Sequence, residues 1–92
     1  MAAEITVDEL PDGDFEVEVR DGPTVTRHVV TVPPGFTTQF GDPDLDPAEL
    51  VRQSFVFLLE QEPATSILSR FGLDVIPRYF PDYVDSVRGQ LG

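Results

Sequence analysis

Histidine is the side chain that titrates near neutral pH without help from its surroundings, and this chain holds one, His28. As a general base it would need a nucleophile on one side and an orienting group on the other. Its neighbours in TVTRHVVTV supply neither: Arg27 is a cation, and Thr24, Thr26 and Thr31 suit an extended backbone. Catalytic groups meet in space and not along the chain. His28 is therefore kept as the candidate titrating residue of a small enzyme or ligand binder, and no residue is assigned a catalytic role.

Acidic side chains are plentiful, 17 against 6 basic ones, which makes any single pair uninformative. Asp14, Glu16 and Glu18 alternate with apolar residues and read as a solvated face that discourages edge pairing. A glycosidase would need two carboxyls opposed across a cleft, for which 92 residues leave little room. Asp42-Pro43-Asp44-Leu45-Asp46 has the alternate acids that open a calcium loop. Such a loop also wants a glycine at its sixth position and a glutamate at its twelfth; here those are Pro47 and Gln53. The segment reads instead as a polar loop leading into a capped helix. The glycines form neither GxGxxG nor GxxxxGK, so no phosphate loop is present. With no cysteine there is no disulfide, thiolate nucleophile or zinc finger. No metal-ligand set and no cofactor are expected.

The densest chemistry lies in SILSRFGLDVIPRYFPDY, residues 66–83. Arginine beside aromatic rings is the composition of protein–protein hot spots. A small domain also needs its large rings to fill a core. Arg70, Phe71, Arg78, Tyr79, Phe80 and Tyr83 are the candidate interaction surface. The same stretch invites a helix-turn-helix around Gly72-Leu73, with Arg70, Arg78 and Arg88 toward phosphates. Its recognition element would present Val75, Ile76, Tyr79 and Phe80 and contain Pro77, whereas base reading needs polar side chains in the groove.

Net charge is -11, and it is unevenly placed. Residues 1–46 hold eleven acids and two arginines; residues 47–92 hold six acids and four arginines. That field repels phosphate backbones, so no nucleic acid is expected as a partner. All basic residues are arginine, a bias that fits a GC-rich genome. The longest dense apolar run, residues 55–59, is far short of the ~20 residues of a membrane span. The first residues carry neither a basic nor an apolar signal region. The expectation is a cytoplasmic chain with no membrane partner, whose partner is another protein or a second copy of itself.

These side chains need elements to position them, and 92 residues make one domain. Residues 1–13 read as a flexible acidic tail with at most a short strand at 5–7, and 14–92 as a single domain. Residues 14–20 alternate strictly, Phe15, Val17 and Val19 against Glu16, Glu18 and Arg20. Asp21-Gly22-Pro23 is a turn, and the β-branched run 24–32 is the second strand of a hairpin. Apolar residues on both its sides leave open a central strand or a bulge near His28. Residues 36–41 read as a short extended piece.

Asp46 as N-cap, Pro47 at N1 and Glu49 at N3 start a helix over 47–62. Its outer stripe is Glu49, Arg52, Gln53, Val56 and Glu60; Leu50, Val51, Phe55, Phe57, Leu58 and Leu59 cover the rest. So broad an apolar surface predicts packing on more than one side. Short helices are expected at 64–71, closed by a left-handed Gly72, at 75–80, capped by Asp74, and at 82–91, capped by Asp82. The fold class is α+β: an N-terminal antiparallel hairpin, with a third short strand allowed, against one long central helix and two or three short C-terminal helices.

The strings VTVPPGF, ELVRQSFVFLLEQEPATSILSRF and LDVIPRYFPDY resemble those of small acidic proteins of high-GC, actinobacterial-type bacteria, over residues 14–83. The resemblance implies one small bacterial domain and carries over no activity and no site residue. The expected function is a small non-enzymatic interaction or accessory protein. The alternatives are His28 chemistry and a transcription-associated role for the C-terminal helices.

Overall fold

The computed structural model describes residues 3–41 and 44–91. Alternation turns Phe15, Val17 and Val19 to one face of β2 (Phe15–Asp21), where all three are buried. The chain returns as β3 (Thr24–Thr31) through Gly22 and Pro23. Gly22 takes φ 61° while the pyrrolidine ring holds Pro23 at negative φ. That combination belongs to a type II′ turn, whose twist matches its strands. Pairing runs unbroken from Asp21↔Thr24 to Phe15↔Val30, so no bulge interrupts β3. His28 and Val30 face the core; Val25, Arg27 and Thr31 face solvent.

Strands flank the hairpin on both sides. β1 (Glu4–Glu9) pairs antiparallel with β2, Ile5 opposite Val19 and Val7 opposite Val17. The expected tail is therefore an edge strand over these six residues. Ile5 is buried because it lies on the core side of that strand. Beyond β3 lies β4 (Arg70–Gly72), parallel to it, with Val30 opposite Phe71. The sheet order is β1-β2-β3-β4, which makes β3 an interior strand, with its outer face left to solvent. Parallel neighbours need a crossover, and the central helix provides it.

That helix is α1 (Pro47–Gln61); the Asp46 carboxylate accepts from the Ala48 N–H at 3.0 Å. Leu50, Val51, Phe55, Phe57 and Leu58 are buried on it, and Glu49, Arg52 and Glu60 are exposed, as the periodicity predicts. The helix predicted at 64–71 does not form. A single 3-10 turn, Ala64–Ser66, is followed by strand pairing in which the Val29 N–H donates to the Ser69 carbonyl at 2.8 Å. Gly72 accordingly sits at φ -95°, in extended and not left-handed backbone. Asp74 does not cap the next helix: a 3-10 turn, Leu73–Val75, leads into α2 (Ile76–Tyr79), whose N-cap is Val75 without a side-chain bond. α3 (Tyr83–Leu91) closes the chain as expected.

The piece at 36–41, expected to be extended, is a 3-10 helix, Phe36–Phe40, set between Gly35 and Gly41, each at φ 78°. Both its rings are buried and lie 6.5 and 6.0 Å from the Tyr83 ring. Tyr83 also meets Phe57 at 5.4 Å. The architecture is α+β, a four-stranded mixed sheet with a helical layer on one face. No helix among the described residues is long and apolar enough to cross a membrane.

Candidate functional site

The strongest local feature of the 66–83 segment is an open apolar groove of about 250 Å³. It forms where three short elements follow α1 without the length to cover it. Leu58 and Glu62 supply one wall, Ile67 and Leu68 the approach to β4, Phe71 the strand itself, and Ile76, Tyr79 and Phe80 the opposite wall. Leu68 is 56% exposed and Tyr79 is 71% exposed. Few large apolar side chains elsewhere stand so far into water: Val25 alone joins these two among the described residues.

The candidate surface residues divide into two groups. Phe71, Tyr79 and Phe80 line the groove. Arg70 and Arg78, each one position before a groove residue, are exposed and form no ion pair among the described residues. Tyr83 does not belong with them: it is fully buried, because a ring between Phe36, Phe40 and Phe57 is the centre of the core. Leu58, Glu62, Ile67 and Leu68 were not singled out in the sequence as site residues. No local signal marked Leu68, because the helix expected at 64–71 placed it in contact with Leu73.

Of the other arginines, Arg27 is exposed on the outer face of β3 without an ion pair among the described residues, and three are engaged. Arg20 pairs with Glu18 at 3.4 Å, Arg52 donates to the Ile5 carbonyl at 2.9 Å, and Arg88 donates to the Gln39 carbonyl. Arg88 is thus tied down at the far side of α3, and α2 has four residues, less than a recognition helix needs to lie along a groove.

His28 is 3% exposed and lies under the groove. Its Nδ1 is 2.7 Å from the Leu68 carbonyl oxygen, and its Nε2 3.0 Å from Thr26 Oγ1. A carbonyl only accepts, so Nδ1 carries a proton and donates; in the neutral ring Nε2 then accepts from the threonine hydroxyl. Its ring centroid is 5.2 Å from that of Phe55, which in turn meets Phe71 at 6.0 Å. The imidazole therefore fastens the 67–69 segment to β3. To act as a base it would have to release one of these bonds.

The second buried polar group is Ser54. Its hydroxyl donates to the Leu50 carbonyl at 2.7 Å, which leaves its oxygen to accept from the Tyr83 hydroxyl at 2.6 Å. Burial pushes the Tyr83 phenol up to about 12, against a smaller lowering by Ser54. Asp46, the last acid of the calcium-like segment, is spent on its helix cap; Asp42 and Pro43 lie outside the described residues. Comparison of the chain with protein-family models, with curated proteins and with solved structures returns no match.

Proposed function

We propose that the chain is a small, non-enzymatic, cytoplasmic interaction module whose working surface is the groove between α1, β4 and α2. The observation that carries this is the exposure of Leu68 and Tyr79 on either side of an apolar hollow. Leaving large apolar side chains in water has a cost that a partner's surface removes. Tyrosine and arginine are the residues that partners bury to most effect, and Tyr79, Arg70 and Arg78 are available for that use.

The test is a photoreactive side chain placed at Tyr79, with Thr6 on the far face of the sheet as the control. Expressed in a high-GC bacterial host and irradiated, the Tyr79 variant gives a discrete cross-linked product and the Thr6 variant none. Cross-linking that is absent from both positions, or equal at both, would sink the proposal. The R70E/R78E double variant should weaken the product while leaving the melting temperature within a few degrees, since exposed substitutions cost about ±0.5 kcal/mol each.

A further inference from the structure

The sheet has two ends, and they are finished differently. At β1, the Leu10 N–H donates to the Asp14 carbonyl at 2.8 Å. This continues the ladder, so the even-numbered residues face β2 and Ile5, Val7 and Glu9 turn their backbone outward. On that open side Arg52 holds the Ile5 carbonyl at 2.9 Å, and Glu4, Asp8 and Glu9 surround it with charge. Acidic side chains and occupied backbone groups are how an edge is protected from pairing.

At β4 no side chain among the described residues bonds to an outward backbone group, and the Asp74 carboxylate lies against Gly72. Ser69 faces β3 through its carbonyl, so alternate residues of the parallel strand, Arg70 and Gly72, direct their N–H and C=O groups away from it. No strand among the described residues pairs with that side. The groove lies beside this edge on the core side, because Phe71, opposite Val30, both faces the core and lines the groove. Arg70 is opposite Val29, on the outer face of the sheet.

Resting on the interaction reading above, we infer that the partner is an extended peptide that adds to β4 as a fifth strand, its side chains alternating apolar and acidic. Strand addition supplies affinity through main-chain bonds and specificity through pockets for alternate side chains. Inward side chains of the added strand fall beside Phe71 and enter the groove, which takes apolar groups. Outward ones fall beside Arg70, which is exposed and forms no ion pair among the described residues. The occupant is not a second copy: two chains of net charge -11 repel one another, whereas a short peptide brings few charges to Arg70.

The probe is an acetylated, amidated heptapeptide alternating glutamate and valine, titrated into the full chain by isotope-edited NMR at low salt. The expected result is saturable shifts at the Arg70, Gly72 and Tyr79 amides, lost in R70E/R78E and weakened as salt is added. Two further peptides are N-methylated at alternate residues, one at the glutamates and one at the valines. One set should bind about tenfold more weakly and the other nearly as well as the parent, because only one set points its N–H groups at β4.

Equal affinity of both methylated peptides, or no binding at millimolar peptide, overturns the inference. So does a concentration-dependent dimer abolished by R70E with no peptide binding, which would make the occupant a second copy. If the peptides fail while cross-linking at Tyr79 persists, strand addition is wrong and the docking groove stands. If both fail, the groove itself is wrong.

Discussion

At the scale of single residues, the two buried polar side chains carry the sharpest expectations. Tyr83 and Ser54 form a one-way relay ending on the Leu50 carbonyl. Removing Ser54 strands a buried phenol, whereas removing the phenol leaves the serine with its carbonyl. Ser54→Ala should therefore cost about 1–3 kcal/mol and Tyr83→Phe about 0.5–1.5 kcal/mol, measured by urea denaturation; the reverse order would contradict the assigned direction. The phenol also sets a pH window. Its folded pKa of about 12 exceeds the ordinary 10.0, so its contribution is complete below pH 10 and is lost as pH rises toward 12. A rise of that size amounts to about 3 kcal/mol, and Tyr83→Phe should abolish that loss. His28→Ala removes two hydrogen bonds and a ring packed on Phe55. A cost of about 2–4 kcal/mol is expected, together with faster amide exchange at Val29, whose N–H depends on the segment His28 holds.

At the scale of elements, α1 and β1 are the informative pair. Phe55→Ala should cost about 3–5 kcal/mol, and Val56→Ala, half-buried on the next face, about 1 kcal/mol; equal costs would mean the helix is rotated from its described phase. Deleting residues 1–10 removes a paired strand, buries Ile5 no longer, and uncovers the long edge of β2. Loss of cooperative unfolding or aggregation is the expected outcome, and a truncated chain that melts like the parent would contradict it.

The elements also show which structure was legible in the sequence. Helix α1 was readable because fifteen residues of period and a proline-marked cap are local signals. The β2–β3 hairpin was readable from strict alternation around a Gly-Pro turn. β1 was read only in part, as a short strand at 5–7, because charged residues outnumber its apolar ones; β4 was not readable, because it pairs with a strand some forty positions earlier and three residues at Arg70–Gly72 are too few to display a period. The rings of Phe71, Tyr79 and Phe80 were found by composition alone. Composition could not tell that Tyr83 belongs to the core, since burial there depends on Phe36 and Phe40, more than forty positions earlier.

At the scale of the whole molecule, charge is the dominant property. A net charge of -11 on 92 residues strains the compact state by self-repulsion, and only one ion pair is formed among the described residues. Raising sodium chloride from about 10 mM to about 500 mM shortens the Debye length from ~30 Å to under ~5 Å. The melting temperature should therefore rise with salt, and a fall would mean that favourable pairs outweigh the repulsion. Peptide binding at Arg70 and Arg78 should move in the opposite sense, so one salt series separates the two effects.

The Arg52 clamp on the Ile5 carbonyl has a consequence for symmetry. A subunit whose sheet could grow at both ends would be a bifunctional monomer, able to join head to tail into an open filament. With β1 guarded at the Ile5 carbonyl and by its acids, β4 is the end left to accept a strand, and the subunit is monofunctional. Any sheet-to-sheet association ends after one step, as a twofold pair, and cannot propagate. Arg52→Ala restores the second valence. It is the substitution from which elongating, β-rich polymers are expected once high salt screens the repulsion between chains, visible as thioflavin-positive fibres where the parent chain remains free of them.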